Sequence, residues 1–147
     1  MCTMNFLKAN GLPEDICSQL GLGAPLTKLD GRVAFAVHDE NGEKIGHYGL
    51  DLKDGKPIYQ RSFNPEQHLY GYYAVKHEPR VFLTDNMIEC IKLLCTDKPA
   101  VCNFELPYLS ERQIELLREL DHIVLWTNND VIRTQAMNSV LKWLHFI

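Results

Sequence analysis

No apolar run in this chain approaches the roughly 20 residues that span a bilayer, which excludes a membrane-spanning helix. The first ten residues, Met1–Asn10, are mixed rather than apolar and do not form a secretory signal, so a cytoplasmic location is expected. The five cysteines, Cys2, Cys17, Cys90, Cys95 and Cys102, are odd in number and include no C-x-x-C pair. A disulfide framework and a structural zinc site are therefore not expected. Cys90, Cys95 and Cys102 stand among apolar residues and are expected to be buried, reduced thiols. There is no basic tail: residues 1–79 hold 8 Lys/Arg against 10 Asp/Glu, residues 80–147 hold 7 against 9, and the net charge is −4. Strong sequence-independent binding to nucleic acid needs concentrated positive charge, and nothing here demands it. Ser110 and Ser139 lack a Gly-rich elbow, and no P-loop or dinucleotide fingerprint occurs.

What is present suits a globular protein of 147 residues, 46% hydrophobic and 23% charged. That length allows one ordinary domain or two small lobes. Residues 4–20 fit two short helices, the first ended by Gly11 and the second opened by Pro13, Glu14 and Asp15. Val33, Phe35 and Val37 alternate with smaller residues, as in a strand. Asp39-Glu40-Asn41-Gly42 is a hairpin turn, Ile45–Leu52 a returning strand and Ile58–Phe63 a third, which together make an antiparallel meander. Beyond residue 80 the pattern becomes strand–helix alternation, which predicts a small parallel sheet. Strands are expected at Val81–Leu83, Ala100–Phe104 and Ile123–Trp126. Helices are expected at Met87–Cys95, from the Ser110 cap to Leu120, and at Val131–His145.

Other clusters have plain readings. His38-Asp39-Glu40 reads as a solvated turn rather than acid–base or metal chemistry, and His47 and His68 lack partners at metal spacing. Tyr48, Tyr59, Tyr70, Tyr72 and Tyr73 either stack bases beside Arg61 and Lys76 or fill a seam between two lobes; the seam is favoured. Met137, Val140, Leu141, Leu144, Phe146 and Ile147 make the last helix apolar on more than one side. Either the monomer buries them or they form a partner surface.

Three segments in order resemble the catalytic core of bacterial DnaG-type primases. The first is Phe6–Ile16 with Leu20-Gly21-Leu22-Gly23, similar to the core's helical lead-in. The second is Gly31–Gly42 followed by Ile45-Gly46-His47-Tyr48-Gly49, against the family's G-R-x-x-F-P-I, a turn, and I/V-G-F-G-G-R. The third is Lys56–Ser62 with Leu69–Tyr73, against P-K-Y-x-N-S and L-Y-G-L. The resemblance implies that the rest begins a toprim domain, the metal-binding α/β fold of primases and topoisomerases. The first toprim strand normally ends in Glu-Gly and a later one in Asp-x-Asp, carboxylates that hold Mg²⁺ on phosphates. Thr84 falls where the Glu is expected and Asn128 where the first Asp is expected, which leaves Asp85 and Asp130 as weak remnant metal candidates. Leu50 and Ile58 stand where the family has Arg and Lys.

The fold expected is therefore α+β: a small helical lead-in and antiparallel β lobe, residues 1–79, then a truncated toprim-like α/β lobe with a short parallel sheet, residues 80–147. The function expected is a non-catalytic primase-like module of a DNA-replication, phage or mobile-element system. Single-stranded DNA or RNA is one expected partner, with Arg32, Lys44, Lys56 and Arg61 as candidate contacts. A protein partner or a homodimer through the toprim-like lobe is the other, and a pure interaction scaffold is the alternative. A residual metal-dependent nuclease comes last. No cofactor is expected, with Mg²⁺ only if the remnant site works.

Overall fold

Alternating apolar residues and a Gly-containing turn give the first sheet its form. A computed structural model describes residues 32–51, 57–60, 63–140 and 144–146. The predicted lead-in helices over 4–20, Cys2, Cys17, Lys56 and Arg61 lie outside the described residues. Strands β1 (Arg32–His38), β2 (Lys44–Asp51) and β3 (Pro57–Gln60) pair antiparallel in the order β1-β2-β3, which bears out the meander. Phe35 and Tyr48 are register partners, fully buried, with ring centroids 6.5 Å apart. The turn closes through Gly42 N–H donating to Asp39 O at 3.1 Å and Asn41 N–H donating to the Asp39 carboxylate at 2.9 Å. Gly42 sits at φ +86°, where a side chain would be strained.

Continuous apolar runs, rather than alternation, mark the second sheet. Strands β4 (Val81–Thr84), β5 (Ala100–Cys102) and β6 (Ile123–Leu125) are buried along their whole length, as parallel strands covered on both faces are. Together with β7 (Leu144–Phe146) they pair parallel in the order β5-β4-β6-β7. Short helices α1 (Tyr72–Val75), α2 (Met87–Cys95), α3 (Glu111–Arg118) and α4 (Asp130–Ser139) connect and cover them. Leu83, Val101, Leu117, Ile123, Leu125 and Ile132 are central to the core. The arrangement is α+β, an antiparallel sheet followed by a parallel toprim-like unit.

Helices α2, α3 and α4 each start on a side-chain cap. Asn86 Oδ1 accepts from Glu89 N–H at 2.9 Å, and Asn129 Oδ1 accepts from Ile132 N–H at 3.0 Å. Ser110 and Gln113 form a capping box on α3. The Gln113 side chain is fully buried and also donates to the carbonyls of Pro65 and His68, each at 3.0 Å.

Two predicted elements are corrected. The final helix, expected over Val131–His145, ends at Ser139, and Leu144–Phe146 is a strand on β6. Of the apolar residues that gave the predicted helix more than one apolar side, Met137 lies in α4 and Leu144 and Phe146 in β7, while Leu141 and Ile147 lie outside the described residues. Pairing with β7 satisfies the outer backbone groups of β6, which a longer helix would leave open. Strand β5 stops at Cys102 rather than Phe104, because Phe104 and Glu105 both turn into the left-handed region at φ +61°.

The chain divides into two compact units, Met1–His38 with Glu43–Phe63, and Asp39–Gly42 with Asn64–Ile147. Residues 64–79 join the second unit because Tyr70 pairs with Cys102 through two backbone hydrogen bonds, at 2.9 and 3.2 Å, and because Tyr72 and Val75 enter its core.

Candidate functional site

The order β5-β4-β6 means that the chain leaves β4 towards one neighbour and crosses back to the other. In open parallel sheets, ligands bind at the carboxyl ends of the strands beside such a crossover. An open cleft of about 450 Å³ lies there, lined by Thr84, Asp85, Asn86 and Glu89 on one side and Leu125, Trp126, Thr127 and Asn128 on the other. Asp85 follows β4 and Thr127 follows β6. The Thr127 hydroxyl donates to Asp85 Oδ1 at 2.8 Å and accepts from Asn129 N–H at 3.0 Å. Thr84 is buried, and its Oγ1 accepts from Asn86 N–H at 3.2 Å. Trp126 is half-buried, its ring edge-on to Phe82 with centroids 5.6 Å apart. Arg133 Nη1 donates to the carbonyl of the lining residue Thr127 at 2.9 Å. Glu105 carries its carboxylate to Met87 N–H, 2.9 Å away at the start of α2.

The thiols near this edge of the sheet are not poised for chemistry. Burial pushes the Cys90 thiol well above its ordinary value, and burial does the same to Cys102 at the end of β5. Both cysteines are free and buried, as the sequence led us to expect, whereas Cys95 is half-buried. Burial likewise raises the Tyr70 phenol.

The two remnant carboxylates part company. Asp85 lines the cleft. Asp130 is exposed on the first turn of α4 and is not among the lining residues. Among the cationic candidates, Arg32 opens β1 opposite Asp51, while Lys44 is exposed at the far end of the same ladder, opposite His38. The ladder therefore separates these two. Three of the tyrosines have described surroundings within their own units. Tyr48 is in the first unit's core, Tyr70 packs edge-on to Phe104 in the second, and Tyr73 is exposed with the Lys76 ammonium 4.9 Å from its ring centroid. Glu40, read as a solvated turn residue, accepts from or shares a proton with His68 Nδ1 at 3.1 Å. Sequence reasoning missed Glu89, Trp126 and Thr127. Helical spacing from Asp85 to Glu89 was the available signal for the first.

No protein-family model matches the sequence, and neither does any curated protein. Solved structures do match. A DNA primase domain from Pseudomonas aeruginosa is 21% identical, with TM-score 0.75, over 100% of this chain and 63% of that one. The E. coli primase catalytic core is 16% identical, with TM-score 0.75, over 99% of this chain and 64% of that one. A DnaG primase catalytic domain bound to single-stranded DNA is 16% identical, with TM-score 0.74, over 99% and 65%. The chain has the DnaG-type primase fold. It spans less than two thirds of the length of these primase chains.

In a DnaG-type primase fold, the cleft at the ends of β4 and β6 is where the sequence resemblance places the metal-holding carboxylates. The donors here fit Mg²⁺ poorly. Mg²⁺ demands near-octahedral hard oxygens and gives up water reluctantly. Thr84 and Asn128 bring neutral oxygens, and one Asp85 oxygen already accepts from Thr127. Among the described residues, no group of three or more His, Cys, Asp or Glu side chains could hold a metal ion.

Proposed function

We propose that this chain is a non-catalytic primase-fold module that binds nucleic acid or a protein partner in a DNA-replication, phage or mobile-element system. One observation carries the reading: the cleft that this fold would use for metal is lined by Thr84 and Asn128, and its Asp85 carboxylate is held by a hydroxyl. Without a charge-neutralising ion pair of metals, phosphoryl transfer loses its main source of transition-state stabilisation. Nucleic-acid binding is supported by a similar primase domain having been solved with single-stranded DNA. A primer-synthesis assay in Mg²⁺ and in Mn²⁺ tests the reading, with no template-dependent product expected. Robust metal-dependent synthesis would overturn it.

A protein-binding scaffold is the second reading. The chain's acidic balance favours it, as do the exposed Val131 and Met137 on α4, 54% and 51% accessible. Binding of single-stranded DNA that weakens with salt and is lost on Arg32→Ala and Arg61→Ala substitution would decide for the first reading. Binding unaffected by either substitution would decide against it.

A further inference from the structure

We infer that Asn41 is a site of spontaneous deamidation, and that the docking of its turn within the second unit sets the rate. Of the chain's asparagines, only Asn10 and Asn41 precede a glycine, and Asn10 lies outside the described residues. Glycine has no Cβ to shield its own nitrogen. The chemistry needs water and nothing else. The Gly42 nitrogen attacks Asn41 Cγ, a C–N bond forms, and the Cγ–Nδ2 bond breaks. Nδ2 leaves as ammonia with the proton from Gly42. Water then opens the cyclic imide at either carbonyl. Opening at Cγ gives an aspartate, and opening at the main-chain carbonyl gives an isoaspartate, whose backbone runs through the side-chain carbon. Nothing is oxidised or reduced.

The other described asparagines are protected in ways that Asn41 is not. Asn41 is exposed, and among the described residues its side chain makes no hydrogen bond, whereas those of Asn64, Asn86, Asn103 and Asn129 all do. Asn64 precedes a proline, which has no N–H to give up. The amide after Asn86 is held by the Glu105 carboxylate.

The turn itself is the brake. Gly42 N–H is engaged with Asp39 O, and Asn41 N–H with the Asp39 carboxylate. Attack requires the first of these bonds to open, so the rate follows the open fraction of the turn. Three residues hold it closed. The Tyr73 ring covers Gly42, where a Cβ would stand 2.8 Å from two ring atoms. Lys76 Nζ lies 4.9 Å from the centroid of that ring and donates to the Glu40 carbonyl at 3.2 Å. His68 Nδ1 is 3.1 Å from the Glu40 carboxylate. All three belong to the same compact unit as the turn. An isoaspartate cannot rebuild this arrangement. Its extra backbone carbon displaces Gly42 from under Tyr73, and a further carboxylate joins Asp39, Glu40 and Glu43. Deamidation at Asn41 is therefore a one-way release of the turn from Tyr73, His68 and Lys76.

The test ages the full chain in mildly alkaline buffer, native and in urea, and maps its peptides by mass spectrometry. Enzymatic methylation of the new carboxylate reads the isoaspartyl form. The native chain should convert Asn41 while Asn64, Asn86, Asn103 and Asn129 stay intact, and the chain in urea should convert Asn41 faster. Tyr73→Ala, at an exposed position, should raise the native rate about threefold or more, and Lys76→Ala should raise it as well. Asn41→Gln should remove the product, because its larger ring closes slowly. The aged protein should lose hydrogen-exchange protection at Gly42. Asn41 left intact in the native chain overturns the inference. Equal rates in the native chain and in urea overturn it too, as do unchanged rates in both Tyr73→Ala and Lys76→Ala, or full protection of Gly42 in the isoaspartyl product.

Discussion

Thr127 sets the geometry of the cleft although it carries no charge. Its hydroxyl donates to Asp85 across 42 residues of sequence and accepts the Asn129 amide at the mouth of α4. Thr127→Val keeps the shape and removes both bonds. We expect it to cost about 1–2 kcal/mol in urea unfolding, mostly from the amide and carboxylate left without a partner. Gln113 is the more sensitive position. Fully buried, it serves the carbonyls of Pro65 and His68 and closes the α3 capping box. Gln113→Leu should cost about 3 kcal/mol or more by the same measurement, because several buried polar groups lose their partners together. The buried thiols add a pH dependence. Cys90 and Cys102 are raised above their ordinary value of 9.0 by burial. In the unfolded chain they release protons near pH 9, whereas in the native state they keep them. The unfolded state then binds fewer protons, so stability is full below about pH 9 and falls above it, by roughly 2–3 kcal/mol at pH 10. Unfolding midpoints measured from pH 7 to pH 10.5 should show this slope, and Cys102→Ala should flatten it. At this scale the sequence was partly legible. Asp85 was visible as a remnant carboxylate, and the neutral Thr84 and Asn128 were visible beside it. The Thr127 contact was not, because it depends on the parallel pairing of two strands that are far apart in the chain.

Elements with local signals were legible nearly to the residue. Helix α2 runs over Met87–Cys95 as its spacing predicted, since Asn86 caps it and its apolar residues recur on one face. Helix α3 begins at the predicted Ser110 cap. Ser110→Ala should cost about 1 kcal/mol and lower the amide protection of the first turn of α3. The final segment was misread for a physical reason. Apolar residues from Met137 onward satisfy a helical window, and only the long-range ladder between β6 and β7 sets Leu144–Phe146 apart as a strand. That ladder makes a prediction at the same scale. A chain ended after Val140 exposes the outer backbone groups of β6, so Ile123–Leu125 should lose hydrogen-exchange protection and the protein should self-associate at concentrations where the 147-residue chain does not.

At the scale of the whole molecule, fold and chemistry come apart. The overall similarity to primase cores reaches TM-scores of 0.74 and 0.75 at 16–21% identity, so packing and topology are retained while side chains are free to change. The cleft at the ends of β4 and β6 holds two carboxylates, Asp85 and Glu89, and the hydroxyls of the buried Thr84 and Thr127. Arg32 and Lys44 are held apart by the length of one ladder. Fold does not carry function with it, and the site decides. The most direct test of a non-catalytic cleft is a Mn²⁺ titration of the intact chain followed by electron paramagnetic resonance, with Asp85→Asn in parallel. The free Mn²⁺ signal should grow in proportion to the metal added and be the same for both proteins. A saturable, stoichiometric loss of free signal that disappears in Asp85→Asn would contradict it.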